Sequence, residues 1–156
     1  MATFTRAAAL ISYQLFHATD NMDSLSIRIL RNRKITFSKT IPSLQGNYIF
    51  GRDSVRCQKL AMRLSIPTTV IEFPSPPTYL SSVHAVICQI EKEFHLIDGW
   101  GKKYSRNGVY VNKQRMYFRI LQSSDLIHLG SSQVEIMFHQ SFQQDHEKDT
   151  IESEFF

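Results

Sequence analysis

Apolar and polar residues alternate in several short stretches of this chain. The alternation runs through residues 25–29, 115–120 and 133–138, and a period of two places the apolar side chains on one face of a β-strand. The run His84–Ile90 is apolar almost throughout, which predicts a strand in the middle of a sheet. Further short strands are predicted at 48–50, 70–73, 94–97, 109–111 and 126–129.

Turn-forming residues separate these predicted strands. They occur at Gln45–Asn47, Pro74–Pro77, Asp98-Gly99, Asn107-Gly108 and Leu129-Gly130. Beyond the first 24 residues the one helical candidate is 54–64, where the apolar residues are spaced too loosely to define a single face. Many short strands with tight turns and no long amphipathic helix indicate an all-β domain, either a sandwich or a barrel.

The length of 156 residues fits one domain with short extensions, and 42% apolar residues are enough for a core. We assign 1–24 to an N-terminal extension, 25–139 to the β-domain and 140–156 to an acidic tail. Residues 1–140 carry 17 Lys and Arg against 9 Asp and Glu, whereas 141–156 carry 5 acids and 1 lysine. The basic body favours an anionic partner: nucleic acid, acidic lipid or phosphorylated protein.

The sequence also argues against several classes of protein. No apolar run approaches the ~18 residues of a membrane span, and residues 1–19 do not form a secretory signal, so a cytoplasmic location is expected. Cys57 and Cys88 are too few for a disulfide framework or a CxxC metal site. The histidines lack metal-ligand spacing. We therefore expect neither a metal nor another cofactor.

Two predicted loops carry residues suited to binding an anion. Gly51-Arg52 follows the strand 48–50, and the planar guanidinium of arginine suits bidentate contact with a phosphate. Ser81 and His84 lie just before the central strand, where the serine offers a hydroxyl and the histidine a hydrogen bond that holds the loop. A catalytic Ser/His pair is disfavoured, because no acid orients the histidine and no Gly-x-Ser-x-Gly turn is present. We therefore expect no enzyme activity.

A third loop, Ser105–Gly108, ends in Asn-Gly before the strand 109–111. By itself this dipeptide is typical of a type I′ hairpin turn. The alternative interpretation is functional, because an asparagine amide can bind both the N–H and the C=O of an extended peptide. A fourth segment, Asp125–Gly130, leads into the last predicted strand and is expected to pack and turn the chain.

These four segments, in this order, resemble the forkhead-associated (FHA) domain family, and the resemblance extends over residues 25–139. It implies an antiparallel β-sandwich of about eleven strands that binds phosphothreonine peptides through loops at one end. Asp98–Gly101 before the third loop further resembles stand-alone bacterial, particularly cyanobacterial, members.

The resemblance also implies roles for individual residues. Arg52 and Ser81 would bind the phosphate, and Asn107 would bind the peptide backbone beside it. The implied loop-shaping residues are Gly51, His84 and Gly108, and the implied secondary contacts are Ser82 and Arg106.

Three features depart from the family pattern. Val109 replaces the threonine that commonly follows Asn-Gly, which should affect packing more than phosphate binding. The connection 53–80 is long and could cover or reshape the rim of the pocket. The insertion Trp100–Tyr104 brings Lys102 and Lys103 towards the proposed pocket, either to attract acidic residues beside the phosphothreonine or as ordinary solvated lysines.

The leading hypothesis is therefore a non-catalytic adaptor that binds a threonine-phosphorylated protein. The alternative is a constitutive structural subunit of a larger assembly that uses the same fold without phosphate. A nucleic-acid-binding β-fold is disfavoured, because Tyr117 between Arg115 and Arg119 is the one hint of interleaved aromatic and basic residues. Thr150, flanked by acids in the tail, offers a further hypothesis: once phosphorylated, it could dock into the pocket of its own or a neighbouring molecule.

Overall fold

A computed structural model describes residues 23–141, which contain eleven strands and one helix. The first strands are β1 (Ser24–Arg31), β2 (Lys34–Ile41), β3 (Asn47–Phe50) and β4 (Thr68–Ile71), and the helix α1 (Ser54–Arg63) lies between β3 and β4. The remaining strands are β5 (Ala85–Ile90), β6 (Glu93–Asp98), β7 (Val109–Val111), β8 (Gln114–Arg115), β9 (Phe118–Ile120), β10 (Leu126–Leu129) and β11 (Val134–His139). Within this part of the chain, no helix has the length and apolar content to cross a membrane.

The strands form two sheets. One has six strands in the order β2-β1-β11-β10-β7-β8, and the other has five in the order β4-β3-β5-β6-β9. All pairs are antiparallel except β3 and β4, which are parallel. Parallel neighbours need a crossover connection, and the segment containing α1 supplies it. The predicted all-β antiparallel sandwich is thus confirmed, with this one parallel pair added.

The core lies between the two sheets. Leu25, Ile27 and Ile29 of β1 are buried there, as the alternation predicts, and they join one apolar cluster with residues of both sheets. Burying such a side chain contributes about 1.5–3 kcal/mol. Val109 is also buried in this cluster, so its side chain contributes to packing, as expected.

A second apolar cluster explains why the central strand is apolar on both faces. Ile49 of β3 and Val86 of β5 point away from the main core and contact Cys57 and Leu60 of α1. Asp53 caps the N-terminus of the helix, since its carboxylate accepts a hydrogen bond from the Arg56 N–H at 3.1 Å. The long 53–80 connection therefore packs a helix against the outer face of the five-stranded sheet.

Candidate functional site

The three predicted loops meet at one end of the sandwich, where β3 ends and β5 and β7 begin. The amide of Arg52 donates to the carbonyl of Ser81 at 2.9 Å, and the amide of Asp53 donates to Ser82 at 3.2 Å. The amide of Arg106 in turn donates to the Ser81 hydroxyl oxygen at 2.9 Å. Ser81 thus joins the first loop to the third.

Gly51 is required by a close approach between two loops. A Cβ atom at this position would lie 2.2 Å from the carbonyl oxygen of Ser82 and 2.8 Å from Sγ of Cys57. Burial, together with the charge of Asp53, raises the pKa of Cys57 to about 11, so the thiol stays protonated and donates to the Ser82 carbonyl at 3.3 Å. Gly51 therefore shapes the loop because nothing larger than hydrogen fits at its Cα.

The guanidinium of Arg52 is available for a ligand. The side chain is exposed, and it forms neither an ion pair nor a side-chain hydrogen bond among residues 23–141. It lines a concavity of about 120 Å³ together with Glu72, whose carboxylate accepts a hydrogen bond from Ser54 at 3.0 Å. An exposed cation without a protein partner is well suited to bind an anion from solution.

Ser81 is held in a defined orientation by its neighbours. Its amide donates to Nδ1 of His84 at 3.0 Å, and its hydroxyl oxygen accepts from Arg106. The hydroxyl donates no hydrogen bond to another residue within 23–141, so its O–H is available to a ligand. The arrangement gives a hydroxyl donor beside the loop that carries Arg52.

His84 braces two loops through its imidazole ring. The ring is fully buried, Nδ1 accepts from Ser81, and Nε2 lies 2.8 Å from the Gly108 carbonyl. Nδ1 can accept only if it carries no proton, so Nε2 carries the hydrogen and donates it to Gly108. Burial lowers the pKa of His84 below the usual 6.5, although the Gly108 carbonyl and the charge of Asp98 act in the opposite direction.

This lowered pKa predicts a loss of stability in mild acid. The unfolded chain binds a proton at His84 below about pH 6.5, whereas the folded state resists protonation, so stability is fully present above that pH and falls as the pH decreases below it. Thermal unfolding between pH 7.5 and 5 should show a decrease in Tm that is smaller in His84→Asn than in the exposed control His139→Asn. Equal decreases in the two variants would contradict this role.

Asn107 is exposed at the tip of the third loop. Its Nδ2 donates to the carbonyl of Tyr79 at 2.8 Å, which leaves one N–H and the Oδ1 acceptor for a peptide. Gly108 has a φ of +87° and Asn107 is not among the positive-φ residues, whereas a type I′ turn needs a positive φ at both. The loop also connects strands of different sheets, β6 and β7. The hairpin interpretation of Asn-Gly is therefore wrong.

Gly108 links three segments through its backbone. Its amide donates to the Ser105 hydroxyl at 3.1 Å, and its carbonyl accepts from His84 and from the Gly130 amide at 2.9 Å. The Asp125–Gly130 segment thus contacts the site through its last residue. Asp125 is buried away from this contact and accepts hydrogen bonds from Arg119 at 2.9 and 3.0 Å.

Two residues of the site could not be identified from the sequence patterns described above. The carbonyl of Tyr79 holds Asn107, but a backbone acceptor has no sequence signature. Asp98 was recognised only as a turn residue, yet it is buried and its Oδ1 accepts from the Ser105 amide at 2.9 Å. The sequence did contain a signal for Asp98, since it is an acidic residue at the end of an apolar strand. A carboxylate buried with such a strand needs hydrogen-bond donors.

The two candidate secondary contacts occupy different positions. Ser82 lines a groove beside Ser81, and Arg106 is exposed, with its amide bonded to Ser81. Within residues 23–141, no group of three or more His, Cys, Asp or Glu side chains could hold a metal ion. Thr150 and nearly all of the two terminal extensions lie outside the described residues.

Several solved structures are similar to this chain. The Slr1951 protein from Synechocystis sp. is similar in structure, with a TM-score of 0.52 and 19% identity over 77% of this chain and 99% of that chain. An FHA structure from work on phosphothreonine-dependent interactions gives a TM-score of 0.49 and 22% identity over 77% and 99%. The FhaA FHA domain complexed with the intracellular domain of Rv3910 gives 0.46 and 22% over 74% and 99%. A search of curated proteins found no match.

The family comparison covers the site itself. The similarity to Slr1951 supports the β-sandwich fold. The family model described as the FHA domain matches residues 48–130, more than half of the chain, and this range includes all eight candidate residues. The chain therefore belongs to the FHA domain family.

Proposed function

We propose that this chain is a non-catalytic interaction module that binds threonine-phosphorylated proteins. Arg52 and Ser81 bind the phosphate, and Asn107 binds the peptide backbone beside it. One observation carries the proposal. The exposed guanidinium of Arg52 has no protein partner among the described residues, the backbone amide of Arg52 donates to the carbonyl of Ser81, and the Ser81 hydroxyl donates to no residue there. Family membership supports the same conclusion.

The energetics favour the phosphorylated form of a ligand. A phosphothreonine brings about 1.5 to 2 negative charges and three strong acceptors. Hydrogen bonds to charged groups contribute about 1.5–3 kcal/mol each, and the planar fork of Arg52 can make two to one phosphate. An unmodified threonine offers only a neutral hydroxyl, so the Arg52 guanidinium would stay hydrated and gain no charge-assisted hydrogen bond from the ligand.

The loops are already held in place before a ligand arrives. Hydrogen bonds from Ser81, His84 and Asn107 fix their backbones on the sandwich, so binding requires little additional ordering. The remaining N–H and Oδ1 of Asn107 can bind the C=O and N–H of an extended peptide. Ser82 and Arg106 lie beside Ser81, where they can contact the neighbouring residues of the ligand.

A peptide panel tests the proposal. Isothermal titration with one sequence in its phosphothreonine, phosphoserine and unmodified forms should show affinity highest for phosphothreonine. Loss of at least two charge-assisted hydrogen bonds predicts a Kd at least about 100-fold weaker for the unmodified peptide. Equal affinity for all three forms would overturn the proposal and would favour the constitutive structural subunit instead.

A further inference from the structure

A groove of about 440 Å³ lies next to the proposed phosphate site, between α1 and the loop 100–104. Leu60, Val83 and Trp100 contribute apolar surface to its lining. The groove also includes Ser81 and Ser82, so it is continuous with the surface where the phosphothreonine would bind. A ligand chain leaving the phosphate site on this side would enter the groove.

The rim of this groove is basic. Arg56, Lys59 and Arg63 lie on one face of α1 at helical spacing, and Lys103 approaches from the opposite loop. Arg56 pairs with Asp53 at 3.5 Å, whereas the other three cations have no ion pair within residues 23–141. No described acidic residue lines the groove. Lys102 does not line it either, so of the two inserted lysines only Lys103 can act here.

We propose that this groove binds an acidic segment of the same peptide, next to the phosphothreonine. An apolar side chain of the ligand packs on Leu60, Val83 and Trp100, while Asp or Glu residues pair with Lys59, Arg63 and Lys103. The inference rests on the proposed function, because continuity with Ser81 makes the flanking residues of a phosphopeptide the nearest occupant. Several positive charges around one concave surface attract such an anionic ligand. The partner would thus be a protein phosphorylated within an acidic sequence.

Two peptides and two double variants test this inference. The peptides share one phosphothreonine and flanking leucines, but one carries Asp on both sides where the other carries Gln. Wild-type protein should bind the Asp peptide about tenfold more tightly than the Gln peptide. Each exposed ion pair contributes little free energy, but several form together. In Lys59→Gln/Arg63→Gln this preference should fall well below tenfold, because of the three unpaired cations only Lys103 is left, while affinity for the Gln peptide should change far less.

The control double variant, Lys39→Gln/Lys92→Gln, removes the same charge from exposed positions on β2 and on the β5–β6 turn. It should keep the preference for Asp. If both double variants reduce the preference equally, or if neither does, the groove is not the acidic subsite. Arg52→Ala distinguishes this failure from failure of the proposed function, because it should weaken both peptides whatever the groove does.

The single tryptophan of the chain provides a direct readout of occupancy. Trp100 is half-buried in the groove wall, so its emission should shift when an Asp peptide without Trp or Tyr binds. Because the leucines can still pack on Trp100, Lys59→Gln/Arg63→Gln should reach the same shift only at a higher concentration of the Asp peptide. Unchanged emission on saturation of the wild-type protein with the Asp peptide would overturn the inference.

Discussion

Arg52→Ala is expected to reduce affinity for a phosphothreonine peptide by about 100-fold or more, because it removes the charged fork that binds the phosphate. Stability should change by less than about 0.5 kcal/mol, because the side chain is exposed and unpaired within residues 23–141. Isothermal titration measures the first effect and thermal unfolding the second.

Arg52→Lys provides a graded comparison for this prediction. Lysine keeps the charge but not the planar fork, so its phosphate contact is weaker and less directional. We expect an affinity between those of wild-type and Arg52→Ala, while Lys92→Ala should bind like wild-type. An Arg52→Ala protein that binds as tightly as wild-type would show that the phosphate, if bound at all, is bound elsewhere.

Gly51→Ala is expected to have the largest effect on stability. The added methyl would lie 2.2 Å from the Ser82 carbonyl oxygen, which is backbone and is fixed by its hydrogen bonds to Asp53 and Cys57. Relieving this overlap requires the two loops to separate, and we expect a cost of about 3 kcal/mol. Urea unfolding measures the loss, and phosphopeptide affinity should fall with it.

Gly101→Ala is the control for this substitution. Gly101 has a φ of +67°, but a Cβ there would meet nothing within 4 Å. It should cost only about 1–2 kcal/mol for the left-handed backbone. If Gly51→Ala were no less stable than Gly101→Ala, the close approach of the two loops would not be a constraint on the fold.

The helix α1 shows where periodicity alone was insufficient. Its apolar residues do not all share a face, since Val55 is 63% exposed and Met62 84% exposed, while Cys57 and Leu60 are buried. The buried face of α1 can be identified only when the outer surface of β3 and β5, against which the helix packs, is known. The strands were easier to predict. A strand in a two-layer sandwich buries one face, so apolar residues recur at every second position of its sequence.

The strand β9 shows a different difficulty. The alternation in 115–120 predicts one apolar face, yet Phe118 is 56% and Ile120 45% exposed, while Arg119 is half-buried and bonded to Asp125. Period two shows that alternate residues share a face but not which face is buried. At this edge strand, pairing with the buried carboxylate of Asp125 orients Arg119 inwards.

The site was only partly predictable from the residues. Patterning placed Arg52, Ser81 and Asn107 in three separate loops, and the family resemblance supplied their implied roles. The bonds that bring these loops together involve backbone groups, such as the Ser81 and Tyr79 carbonyls. Every residue carries such groups, so tertiary structure was needed to identify the partners. The basic groove likewise requires α1 and the loop 100–104 to be side by side.

Binding of a phosphopeptide at the three loops is measured most directly by an amide ¹H–¹⁵N titration of the full chain with a phosphothreonine peptide. We expect the resonances of Arg52, Ser81 and Asn107 to shift together and to saturate at one Kd, and we expect the unmodified peptide to leave them in place. Saturable shifts confined to other surfaces, with these three resonances unmoved, would contradict this expectation.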